Sequence, residues 1–259
     1  IASISANNDT VIGEMVATAV DRVGKDGSIT IEEARSVESS LSVVEGFRFD
    51  SGYLSPQFIT DERRQLVKYD DVLVLVTDAK IEMVDEILPV LEVVAREGRP
   101  FLIVAEDIEG QALAALIMNA MRGTMRIAAV KAPRYGEERR NILKDLAISA
   151  GATFVSREAG VNLKDIKLSD LGTAKNIEIS KRITTIVDGN GDYELVEKRI
   201  EDLKREIEET ESLHECERIQ ERIVRLASGI AIIHVGAPTE VEMIEKKHRL
   251  EDALEAVKS

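Results

Sequence analysis

Apolar positions recur along the chain at two spacings, and the alternation between them lays out its elements. Val11, Met15, Ala19 and Val23 follow at four-residue steps, which predicts a helix over Thr10 to Val23 with Asp9 as its N-cap and Gly24 as its stop. Lys25-Asp26-Gly27 reads as a turn into a short strand from Ser28 to Glu32. The unbroken apolar run Val72-Leu73-Val74-Leu75-Val76 predicts a strand covered on both faces. Helical segments over Glu82 to Glu97 and Glu109 to Met121 then alternate with strand runs over Phe101 to Ala105 and Ile127 to Val130. The middle of the chain is therefore α/β and builds a mixed, partly parallel sheet. Further on, Leu195 to Glu209 and Leu213 to Leu226 predict a charged helical hairpin, its second helix opened by a capping box of Ser212 and Glu215. Ile230 to Val235 is a strand, and Thr239 with Glu242 opens a last helix toward Val257.

Periodicity fails in the run from Val43 to Phe58, where aromatic and aliphatic residues are punctuated by glycine and proline. Gly52 permits backbone angles that other residues avoid, and Pro56 pulls Ser55 toward an extended conformation. Tyr53, Leu54 and Phe58 are thus expected on an irregular extended loop. In a chain with five Phe, four Tyr and no Trp, aromatics crowded into such a run indicate a surface built to touch something apolar. The two helices after it carry more apolar residues than one buried stripe requires: Ile87, Leu88 and Leu91 in the first, and Leu116, Ile117 and Met118 in a row in the second. Taken alone, that width fits helices covered on both sides as well as helices with an open apolar face.

Charge and cysteine content narrow the classes of partner. The net charge of −14, from 48 acidic and 34 basic residues, argues against nucleic acid or an anionic membrane as the main partner. No apolar run approaches the roughly 18 residues of a membrane span. A single cysteine, Cys216, excludes an internal disulfide framework and fits a reducing compartment. Ile1 in place of Met, with no basic-then-apolar leader before it, reads as the start of an excised or processed piece.

The run Val43-Val44-Glu45-Gly46-Phe47-Arg48-Phe49-Asp50-Ser51-Gly52-Tyr53-Leu54-Ser55-Pro56-Gln57-Phe58 closely resembles the start of the apical domain of group I chaperonins, the GroEL family. Other blocks agree in the same order: Ala105-Glu106-Asp107-Ile108-Glu109-Gly110, Asn119-Ala120-Met121-Arg122-Gly123, Ala128-Ala129-Val130-Lys131-Ala132-Pro133, Thr184-Thr185-Ile186-Val187-Asp188-Gly189, Thr239-Glu240-Val241-Glu242-Met243 and Glu251-Asp252-Ala253-Leu254. The resemblance implies a mixed α+β fold: a swivelling β/β/α-type apical domain over residues 45–230, and a small discontinuous α+β intermediate domain from residues 1–44 and 231–259, with Gly46 and Gly229 as hinges at the crossings. It implies a chaperone that assists folding and refolding, binding non-native polypeptides and the mobile loop of a GroES-type co-chaperonin through Tyr53, Phe58, Leu88, Leu91, Leu113, Ile117 and Met118, with Asn119 as a polar neighbour. The intact protein would be a homo-oligomeric ring driven by ATP and Mg. Asp252 would act on nucleotide held by an equatorial domain and stay silent without one, so this chain should not hydrolyse ATP alone and carries no cofactor of its own. A bacterial-type, cytoplasmic setting is the expectation, with organellar or viral origin equally compatible with the motifs.

The same resemblance implies ion pairs that switch during the ring's cycle. Asp9 and Arg249 match a family pair and are both retained, whereas the position of the arginine that would pair with Glu240 is occupied here by Ser51, so that ion pair cannot form. Two simpler readings stand beside these. Asp188-Gly189-Asn190-Gly191-Asp192 imitates half a calcium loop, but Tyr193 replaces the required glycine and Arg199 the bidentate glutamate, so a glycine-rich turn within a hairpin is expected. Glu106 and Asp107 at a strand end would suit a small α/β enzyme, although none of His214, His234 and His248 lies nearby in sequence. Gln57 stands where the family carries an aromatic residue, so Gln57→Tyr is expected to tighten binding of an apolar peptide. Calorimetric titration of both forms checks this, and an unchanged Kd would show that the position takes no part.

Overall fold

The computed structural model describes residues 10–23, 29–227 and 229–258. Its contacts divide the chain into two units, one from residues Ile1–Glu45 and Ser228–Ser259, the other from Gly46–Ala227.

In the first unit, strand β1 (Ile29–Glu33) lies parallel to β11 (Gly229–Val235), which pairs antiparallel with residues 40–45 of β2 (Ser40–Phe49). Helices α1 (Thr10–Val23) and α7 (Glu240–Lys258) pack on these strands. The core joins Ile12, Val16 and Ala19 of α1 to Ile31, Ile233 and Leu254. Of the positions picked out by four-residue steps only Ala19 is buried, while Val11 is exposed and Met15 and Val23 are half-buried, so the buried face lies next to the predicted one. Thr239 Oγ1 accepts the Glu242 N–H at 3.2 Å, as the capping motif requires. Asp9 and the turn Lys25-Asp26-Gly27 lie outside the described residues.

The second unit is built on β3 (Val67–Thr77), whose residues Val72 to Thr77 are all buried. One edge of β3 pairs antiparallel with β9 (Gly172–Ile179), followed by β10 (Thr184–Gly189) and residues 46–49 of β2. The other edge pairs parallel with β5 (Phe101–Ala105) and then β7 (Ile127–Lys131), while short β8 (Phe154–Val155) joins the end of β3. The sheet is mixed, as the β/α alternation requires. Parallel neighbours need crossovers, supplied by α2 (Val84–Glu97) and α3 (Gly110–Met121).

Three segments depart from the sequence reading. Residues 43–49, expected to be irregular, are the second part of β2, and Gly46 is buried opposite Val187 in its ladder. An unanticipated helix, α4 (Gly136–Ala150), buries Ile142, Leu143, Leu146, Ala147 and Ala150 against the sheet. Asp188-Gly189-Asn190 is not a hairpin: Asp188 and Gly189 end β10, and Asn190 starts the link to α5 (Tyr193–Glu209), with the Asp192 carboxylate capping that helix at the Glu194 N–H, 2.9 Å away. The glycines there answer to space. A Cβ on Gly191 would fall 2.3 Å from the Ile148 carbonyl oxygen at the end of α4.

Helices α5 and α6 (Leu213–Ala227) form the expected hairpin and dock on α4. At the junction the fully buried Asp145 accepts from Arg222 through Nε at 2.7 Å and Nη2 at 3.0 Å, and from Arg199 Nε at 3.0 Å. Burial pulls the neighbouring Arg225 guanidinium below its ordinary pKa, and Asp145 is the first charge that opposes this. Removing one member of a buried charge cluster leaves the others desolvated and unpaired, at a cost of about 3–5 kcal/mol. Asp145→Ala is therefore expected to lower the unfolding free energy by that order, and Arg199→Ala by less because its side chain still reaches water. Urea denaturation of both variants checks the ranking.

Candidate functional site

The two crossover helices leave strands that are themselves paired. Lys80–Ile81 (β4) and Asp107–Ile108 (β6) lie parallel, the Glu109 N–H donates to the Ile81 carbonyl at 2.9 Å, and the Ala112 N–H donates to the Glu82 carbonyl at 3.0 Å. The starts of α2 and α3 are thus held side by side, and each helix runs back against parallel strands, so the two run in the same direction. Lys80 Nζ lies 3.1 Å from Glu109 and 3.3 Å from Glu82 at this entrance. A hydrogen bond from Lys80 is the main reason the Glu109 carboxyl sits below its ordinary pKa.

Each helix has clear local causes. The Glu86 carboxylate accepts the N–H groups of Met83 and Glu82 at 3.1 and 3.4 Å, while Asp85 and Glu86 complement the positive end of α2. Gly98, at φ +66°, ends that helix with its N–H on the Val94 carbonyl. Pro89 removes one bond inside it, so the Asp85 carbonyl lacks its i+4 donor. In α3 the Asn119 side-chain amide donates to the Ala115 carbonyl at 2.9 Å, and its oxygens accept from the Thr124 hydroxyl.

Ile87, Val90, Leu91 and Val94 of α2 and Ala112 and Leu116 of α3 are buried in the core. The opposite side of the pair is apolar too. Leu88 is 46% exposed and Met118 47%, with Met83 at 50% and Met121 at 64%. Leu113 and Ile117 are half-buried and pack against the core. An open apolar face therefore accounts for the wide stripe, and cover on both sides does not. Met83 went unnoticed in the sequence, whereas Met121, which closes the predicted helix and lies three residues after Met118, is one of its surplus apolar positions.

The structure moves several expected contact residues off this face. Phe58 is 1% exposed and Leu91 is buried, so neither presents a side chain to a partner. The reason lies in how the loop folds. Tyr53 bridges to Val130, the Leu54 N–H donates to the Ala129 carbonyl at 3.0 Å, and Ser55 caps a 3₁₀ turn over Pro56–Phe58 that packs on α3 and β7. That packing drives Phe58 inward, whereas Tyr53 and Leu54 stay half-buried and Gln57 is exposed. Gly52 is required by space and not by backbone angle: a Cβ would fall 2.1 Å from the Lys181 carbonyl oxygen. Asn119 is committed to closing its own helix.

The remaining expected site residues are divided between the two units. Asp252 is exposed and Arg249 half-buried on α7, Glu240 is exposed at its first turn, and Gly229 opens β11. The Ser51 hydroxyl donates to the Lys131 carbonyl. Glu106 lines a cavity of about 390 Å³ but lies 3.4 Å from Arg139, and Asp107 accepts the Ile108 N–H and lies 3.5 Å from Lys131. These two carboxylates are separately engaged and do not converge as an acid–base pair would. Among the described residues no group of three side chains is arranged to hold a metal ion.

Since Phe58 is a core residue, Phe58→Ala is expected to cost about 3–5 kcal/mol of stability. Thermal unfolding would register this as a lowered Tm, and an unchanged Tm with weakened peptide binding would return Phe58 to the surface. A family model described as the TCP-1/cpn60 chaperonin family matches residues 1–259.

Proposed function

The chain belongs to the TCP-1/cpn60 chaperonin family, and from that premise we propose that its work as a chaperone is done by the open face of α2 and α3, which takes apolar segments of non-native polypeptides. The observation that carries this reading is the pairing of Leu88 and Met118, nearly half exposed on helices whose other sides are fully committed to the core. Half-buried Leu113 and Ile117 complete the face, with Tyr53 beside β7. Flexible thioethers suit partners of many shapes, because an unbranched side chain repacks at little cost.

Magnitude then sets the mode of action. Fully burying an aliphatic side chain is worth roughly 1.5–3 kcal/mol, and these residues are already part-covered, so two or three anchors yield a few kcal/mol. Association costs at least about 4 kcal/mol in lost freedom. One face alone binds weakly, and several copies displayed in a ring convert weak contacts into useful avidity. A GroES-type co-chaperonin is the natural competitor for the same face, since a mobile apolar loop meets the same chemistry. The group I motifs at residues 43–58 support that choice of lid. ATP-driven cycling belongs to the assembled protein, with Asp252 acting on nucleotide bound outside this chain.

Charge on the face should abolish capture without unfolding the chain, because Leu88 and Met118 contribute little to the core. Leu88→Glu and Met118→Glu are each expected to weaken binding of a permanently unfolded polypeptide by about tenfold or more while leaving the Tm nearly unchanged. Fluorescence anisotropy of the labelled polypeptide reads the first quantity and calorimetry the second. Retained binding in the double variant would move the site elsewhere.

A further inference from the structure

The chain has six methionines, and the three exposed ones, Met83, Met118 and Met121, all belong to this helix pair; Met15, Met125 and Met243 are half-buried. Met118 and Met121 lie three residues apart on α3, hence on one side of it. Met83 precedes α2 at the end where the two helix starts are tied by the Ala112 to Glu82 hydrogen bond. Because the helices run in the same direction, exposed thioethers stand toward both ends of the helix pair, with Leu88 between them along its length.

From this placement we propose that Met83, Met118 and Met121 form a reversible oxidation switch that turns the face from apolar to polar. The proposal rests on the polypeptide-binding reading above and adds its regulation. A thioether sulfur attacks one oxygen of a peroxide, the O–O bond breaks and an S–O bond forms. Sulfur loses two electrons, and hydrogen peroxide leaves as water after proton transfer. Each sulfoxide places a strong acceptor where an apolar segment would seat, so the partner would bury it without a donor. Sulfoxide reductases with a thiol reductant reverse the step and release water. Cys216 stands apart from this chemistry, half-buried with its sulfur directed at the Ile207 and Thr210 carbonyls.

Graded hydrogen peroxide treatment, followed by peptide mass spectrometry and binding of an unfolded polypeptide, tests the switch. The three exposed methionines are expected to oxidise first. Binding should then fall by about tenfold or more and return after treatment with both sulfoxide reductases. In a Met83→Leu, Met118→Leu, Met121→Leu variant, whatever its own starting affinity, peroxide treatment should leave that affinity unchanged, because leucine offers no sulfur to oxidise. Equal oxidation rates at all six methionines, or binding that survives full oxidation of the three, would overturn the proposal. If the reduced protein bound no unfolded polypeptide, the chaperone reading would fail by itself. A fluorescent dye that reports apolar surface would still decide the switch, through loss of its signal on oxidation and recovery on reduction.

Discussion

Strand β3 sets the terms for the second unit, because residues Val72 to Thr77 are buried on both faces and paired on both edges. A strand so enclosed needs cover on either side of the sheet. Its parallel neighbours can be reached only through crossovers, and α2 and α3 supply them. Those helices are therefore anchored along one side by Ile87, Val90, Val94 and Leu116, whatever their other side does. The open face is for this reason carried on helices whose inner side is packed in the core. On the proposed reading, a partner would meet side chains carried on helices already held by the core, so binding would not also have to order the surface it uses.

The charge cluster at Asp145 solves a different problem. Apolar residues of matching shape would hold the α5–α6 hairpin on α4 equally well or better. What the carboxylate adds is alignment, since it accepts from three guanidinium nitrogens at 2.7–3.0 Å, and a hairpin shifted by a turn would leave those buried charges unmet. The link before α5 adds a second restraint. Gly189 and Gly191 allow its backbone to approach the end of α4 more closely than any side chain would permit.

Much of this was legible from spacing. The alternation over residues 72–131 marked α2, β5, α3 and β7 to within two residues, because each carries its own period, and marked β3 only in its buried half, since residues 67–71 mix polar and apolar side chains. Helix α4 also carried a signal, Ile142, Leu143, Leu146, Ala147 and Ala150 at helical intervals, but it opened on a glycine at φ +62° with no side-chain cap to announce a start. β2 was hidden by Gly46, which looks like a break and is a ladder residue. Phe58 and Leu91 illustrate a harder limit. Resemblance gave a position a role, but burial depends on the 3₁₀ turn and on neighbours distant in sequence, which no local pattern contains. The open face was legible as an excess of apolar residues, and only packing showed which of them remain exposed.

The division of labour within α2 reaches beyond one molecule. Leu88 lies between Ile87 and Pro89, one residue from a fully buried side chain, yet its own side chain is nearly half exposed. Inheritable changes that reshape the outer side need not disturb the inner one. If the face recognises partners as proposed, selection for what it recognises and selection for whether the chain folds would act on separate letters of the same helix, and a lineage could explore new partners without first losing its structure.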